Sequence, residues 1–142
     1  MAIATRTLKD TNLQTGSGTQ GGKVTVLVNM NDNTTADSVV LDASALSGHA
    51  NGAKLDITRI WWGLVQGTAD DNTGWADIEF VGASADTTAI NLVGTGHYDG
   101  TAGKITNNAT NGGATSGDLK VNAYGVSGFI LVELRKDIAF TA

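Results

Sequence analysis

The chain has 142 residues, a net charge of −5, 19 glycines and neither cysteine nor proline. That is the length of one domain with room for a single core, and it excludes a disulfide framework or a thiolate metal site. Charged residues make up 16%, against roughly 25% in an average soluble domain, and the abundance of Gly, Thr, Asn and Ser suits strands joined by turns and disfavours helices.

Charge is uneven along the chain. Arg6, Lys9 and Lys23 outnumber Asp10 near the start, so the remainder is the acidic part. An acidic body repels nucleic acid and argues against it as a partner. No apolar run reaches the ~20 residues of a membrane-spanning helix. The opening MAIATRTLKD lacks the apolar stretch of a secretion signal. Synthesis in a reducing cytoplasm, with no membrane partner, is the expectation.

Residues 1–22 show no sustained period, and Leu8 and Leu13 stand isolated among Thr, Gly and Gln. The expectation is a flexible or extended arm that orders against a neighbour. From residue 23 the pattern changes to period two. KVTVLVNM (23–30) puts Val24, Val26 and Val28 on one face. NDNTTAD is a turn cluster, SVVLDAS (38–44) a short strand, and ALSGHANGAK a helical turn or loop.

LDITRIWWGLV (55–65) is the most apolar block. Strict alternation places Leu55, Ile57, Arg59 and Trp61 on one face and Asp56, Thr58, Ile60 and Trp62 on the other, with a bend at Gly63. WADIEFVG (75–82) alternates with Ala76, Ile78 and Phe80 inward and Trp75, Asp77 and Glu79 outward. TAINLVG follows as a strand, and a long Gly/Asn/Thr-rich stretch carries at most a brief strand near Lys104–Thr106. DLKVNAYG (118–125) and GFILVELRK (128–136) close the series. The last is apolar on both faces, as in a central strand or one covered by another subunit. Seven or eight short strands without βαβ alternation predict an all-β fold. It is read as an antiparallel β-sandwich or jelly-roll-like single domain over 23–142, with residues 1–22 as its arm.

Catalytic apparatus is sparse. His49 and His97 both lie in Gly-rich segments without a third ligand at a recognisable spacing. GSGTQGG (16–22) lacks the strand-to-helix setting of a phosphate cradle. Asp70, Asp71, Asn72, Asp77 and Glu79 gather carboxylates and amides but do not match a calcium-loop spacing. Asp77 and Glu79 share a strand face, as a glycosidase pair would, yet no sugar cleft assembles around them. No catalytic residue, metal or cofactor is therefore expected. Adjacent Trp61 and Trp62 must point to opposite faces, so one is left for solvent or a partner. Trp61, Trp62, Trp75, Phe129 and Leu131 are the interface candidates, and a homo-oligomer, dimer or trimer, is the symmetric default.

Three stretches carry a resemblance. LDITRIWWGL (55–64), INLVGTGHYDG (90–100) with TSGDLKVNAYG (115–125), and GFILVELRK resemble, in this order, small structural proteins of tailed bacteriophages of marine and cyanobacterial hosts. The resemblance implies a virion component with a sandwich-like fold. Within that group it implies a capsid decoration or cement protein bound to the major capsid protein, or alternatively a tail or head-fibre component that reads a glycan. On the first reading the arm, with Arg6, Leu8, Lys9 and Leu13, touches the coat or a sister subunit. A fully extended arm of about 22 residues reaches roughly 70 Å.

Overall fold

The computed structural model describes residues 3–11, 14–15, 18–19, 22–33, 36–47, 54–67, 74–110 and 117–136. Among these the chain forms β1 (Ile3–Asp10), β2 (Gln14–Thr15), β3 (Gly18–Thr19), β4 (Lys23–Asn33), β5 (Ala36–Leu41), β6 (Leu55–Gln66), β7 (Trp75–Phe80), β8 (Thr87–Val93), β9 (Thr95–Tyr98), β10 (Leu119–Tyr124) and β11 (Val126–Lys136), with one 3₁₀ turn at Ala43–Ala45. A five-stranded sheet, β1-β4-β11-β6-β9, packs on a four-stranded sheet, β5-β10-β7-β8, and β2 pairs only with β3. Every ladder is antiparallel.

The pairing is nested. β7 pairs with β8, β6 with β9, β5 with β10, and β4 with β11. A long antiparallel ribbon folded back at β7–β8 and rolled into two sheets gives this order, which is the jelly roll. The sequence-based expectation of an antiparallel sandwich with a jelly-roll character is what the structure shows.

Period two explains the core. Val24, Val26, Val28 and Met30 from β4, Ile130, Val132 and Leu134 from β11, and Ile60 and Leu64 from β6 meet Ala76, Ile78, Phe80, Leu92, Leu119, Val121 and Ala123 of the other sheet, all buried. Each such aliphatic side chain contributes about 1.5–3 kcal/mol by leaving water.

Three details differ from the strict pattern. First, β6 does not alternate throughout. Glu133 faces Arg59 while Leu134 faces Ile57, so Thr58 is an extra residue in the ladder. This bulge turns Leu55 and Ile57 inward together with Ile60, and sends Arg59 and Trp61 outward. The predicted grouping of Leu55 and Ile57 with Trp61 is thereby corrected. Second, Gly63 lies inside an unbroken β6; its lack of a side chain makes room for the Phe129 ring rather than a bend. Third, TGHY forms strand β9, inside a stretch read as irregular, while the brief strand foreseen near residues 104–106 is a single bridge, Ile57 to Ile105.

The arm also differs from its description. Residues 3–10 are extended, but they pair with their own chain as β1, from Ile3 opposite Met30 to Asp10 opposite Val24. Thr11 closes the connection, its backbone N–H donating to the Lys23 carbonyl (2.9 Å) and its hydroxyl accepting from the Lys23 N–H (3.0 Å). Both faces of β1 are exposed beyond Ile3, which is why no apolar alternation marks it.

Candidate functional surface

β11 sits at the centre of the five-stranded sheet, and its odd residues point away from the core. Its ladders with β4 and β6, and that of β6 with β9, define rows across the outer face. One row runs His97, Trp61, Leu131, Leu27, Arg6; the next runs Thr95, Gly63, Phe129, Asn29, Ala4. Trp61, Leu131 and Leu27 are half-buried by one another, and Phe129 is exposed. The Trp61 and His97 rings stack at 5.0 Å, 12° from parallel. No strand or loop among the described residues covers this apolar band. A contiguous uncovered band of this kind marks an interaction surface more often than a scattered exposed side chain does.

Cations frame the band. Arg59 and Arg135 are exposed at its side, with Lys23 opposite Arg135 in the β4–β11 ladder. These three line a shallow cavity of about 300 Å³ together with Thr58, Lys104 and Glu133. Lys23 lies 3.9 Å from Glu133, and Lys104 donates to the buried Asp56 at 2.7 Å. Neither Arg59 nor Arg135 has a carboxylate within 4.0 Å among the described residues.

The four-stranded sheet presents the opposite chemistry. Its outward rows are Asp37, Asn122, Asp77, Asn91 and Val39, Lys120, Glu79, Thr88, followed by Tyr124, Trp75, Val93. Lys120 donates to Asp86 at 2.8 Å and lies 3.9 Å from Asp37. Asp77 is buried, and its Oδ1 finds no hydrogen-bond partner among the described residues. Burial pushes its carboxyl above the ordinary range, against hydrogen bonds from Asn122 that lower it. Glu79 is likewise raised, by desolvation and then by the charges of Asp77, Asp37 and Asp86. Trp75 and Tyr124 stack at 4.0 Å, 19° from parallel.

The two sheets separate the predicted residues. Trp61, Phe129 and Leu131 share one outer face. Trp62 points inward, packs against the core and donates its indole N–H to the Val93 carbonyl at 3.0 Å. Trp75 belongs to the other sheet. Arg6, Leu8 and Lys9 lie on edge strand β1, where Leu8 is the bulged residue and half its surface is open. Leu13, His49, Asp70, Asp71 and Asn72 lie outside the described residues. Asp77 and Glu79 share a face as expected, and neither lines the cavity beside Arg59 nor a second one of about 360 Å³ between β1 and β5. No group of three or more His, Asp or Glu side chains is arranged to hold a metal among the described residues.

Sequence reasoning missed Leu27, Arg59 and Arg135 as parts of one surface. Leu27 was visible as the apolar residue among the outward positions of β4. Arg59 shares the Trp61 face by simple alternation, and Arg135 joins them only through the β6–β11 register beyond the Thr58 bulge. Comparison of the chain with protein-family models, with curated proteins and with solved structures finds no match.

Proposed function

We propose that this chain is a non-enzymatic structural protein of a virion, a decoration or cement protein that binds the outer surface of a capsid. The uncovered band of Leu27, Trp61, Phe129 and Leu131 on a rigid jelly roll carries this reading. A double sheet stapled across its core is a stiff clamp, and its energy of attachment lies in exposed apolar and charged side chains. The β1 edge, with Arg6, Leu8 and Lys9, is the contact to the coat. It is an edge strand of eight residues with no strand on its outer side among the described residues, and it carries cations that an acidic shell would attract. The outer face beside it is the contact to sister subunits. A protein that binds only the assembled shell stabilises that shell by mass action, and many symmetric copies multiply a weak contact.

Co-sedimentation with empty capsids tests the reading. Deleting the first 22 residues would remove a strand of the sheet, so the test uses Arg6→Glu with Lys9→Glu. Wild-type protein pellets with capsids at a fixed ratio to the coat protein, and the variant stays in the supernatant with unchanged circular dichroism. Wild-type protein that never pellets with any viral particle overturns the proposal.

A further inference from the structure

We infer that copies of this chain associate head to tail, the outer face of the five-stranded sheet of one copy lying on the outer face of the four-stranded sheet of the next. The inference extends the proposed function but does not rest on it, because it concerns the purified chain alone.

Charge segregation between the two faces is the first ground. Of nine lysines and arginines, Arg6, Lys9, Lys23, Arg59 and Arg135 stand on the strands of the five-stranded face, all exposed. Glu133 and the exposed Asp99 of the neighbouring loop offset them in part, while Asp10 and Asp56 are tied to Lys136 and Lys104, so the face keeps a positive excess. The other face carries Asp37, Asp77 and Glu79 on its strands and Asp86 at its rim, against Lys120 alone.

Each face also leaves demands that the other would meet. Arg59 and Arg135 lack a carboxylate within 4.0 Å among the described residues, and the other face presents the accessible carboxylates of Asp37 and Glu79. Desolvation first, and then the charges of Asp77, Asp37 and Asp86, raise the Glu79 carboxyl, and guanidinium groups would relieve the part due to charge. Both faces carry apolar side chains, Trp61 with Leu131 and Phe129 in the middle of one and Trp75 with Tyr124 and the exposed Val93 in the end row of the other. Sheets stack face to face at about 10 Å with such side chains between them.

The same charges argue against a two-fold dimer. An isologous contact through the five-stranded face would set two faces with the same excess of cations against each other, and like charges disfavour the pairing. A heterologous contact avoids this and leaves one free face at each end, so it grows into a ring or a short stack. Five strands about 4.8 Å apart and about seven residues long cover roughly 24 by 23 Å. That is small for a stable interface, so association of the isolated chain is weak and salt-sensitive.

Sedimentation velocity on the full chain tests this with two charge-reversed variants. One is Arg59→Glu with Arg135→Glu; the other is Asp37→Lys with Glu79→Lys. Wild-type protein is expected to associate beyond a dimer at low ionic strength, weakening about tenfold or more at high salt. Each variant alone stays monomeric, and an equimolar mixture associates again, because reversed faces then meet and the untouched faces still match. Circular dichroism checks folding; where a reversed variant fails to fold, Arg59→Gln with Arg135→Gln is run alone in place of the mixture and is expected to associate more weakly than wild type, equal association overturning the inference. A wild-type monomer at every salt concentration, a closed dimer, or a mixture that does not reassociate overturns the inference.

Discussion

The Asp10 carboxylate on edge strand β1 holds the ammonium of Lys136 at the end of β11, Oδ1 to Nζ 2.6 Å, across 126 residues of sequence. The Lys136 side chain is fully buried, and its Nζ also donates to the Ser47 carbonyl at 2.7 Å. The other Asp10 oxygen accepts from the Ser47 N–H at 2.7 Å. One carboxylate thus joins the first strand, the segment after β5 and the last strand.

A buried ammonium deprived of its counter-charge is strongly unfavourable. Asp10→Ala is therefore expected to lose about 3 kcal/mol in denaturant unfolding. Adding Lys136→Met, which removes the stranded charge, is expected to recover most of the loss. A single variant as stable as wild type would show that the pair does not hold β1 in place.

Trp61 and Trp62 are adjacent and have opposite structural roles. Trp62→Ala removes a ring packed on the core and a hydrogen bond to Val93, and is expected to cost about 3 kcal/mol. Trp61→Ala removes the stack on His97 and a half-buried surface contact with Leu131, not core packing, and is expected to cost about 1 kcal/mol. Thermal unfolding of the two variants compares them directly.

Gly128 and Gly103 both have positive φ, +136° and +115°. A side chain at Gly128 would collide with the backbone carbonyl of Gly63, while nothing lies within 4 Å of one at Gly103. Gly128→Ala is expected to lose about 3 kcal/mol, and Gly103→Ala about 1 kcal/mol from its backbone conformation alone. Equal losses in chemical denaturation would remove the argument for close strand approach.

Glu79 gives a pH dependence of defined sign. Desolvation holds its carboxyl in the folded protein above the ordinary value of 4.5. The folded state then holds this proton more tightly than the unfolded chain does. This group's unfavourable contribution is full above its folded value and is relieved as pH falls through that value toward 4.5. Glu79→Gln should unfold at a higher temperature than wild type at neutral pH, and the advantage should shrink as the pH approaches 4. A constant or growing gap on acidification would contradict the assignment.

Period-two segments made most of the sheet legible. Val24 to Val28, Ala76 to Phe80 and Phe129 to Leu134 fall on the faces that alternation assigns to them, because each strand has one side in the core. Legibility failed where that condition failed. β1 buries almost nothing, so Thr5, Arg6 and Thr7 carry no periodic mark. β9 is four residues at an edge, with Gly96 admitting the Trp62 ring. The Thr58 bulge inverted the outward set of β6, and with it the positions of Leu55 and Ile57. The paired tryptophans were visible as one inward and one outward, with Arg59 beside Trp61, but the surface around them also draws Leu27 and Arg135 from two sequence-distant strands. Only the register brings them together.

The order of pairing also has a consequence for synthesis. β11, the last strand, lies between β4 and β6 at the middle of its sheet. A chain still emerging from the ribosome can zip β7 to β8 early, but β4 and β6 have no strand between them until Lys136 has left the exit tunnel. Closure of this sheet is therefore a late event, slowed by the long loops it must close. Until then the apolar faces of β4 and β6 stand open to other nascent chains.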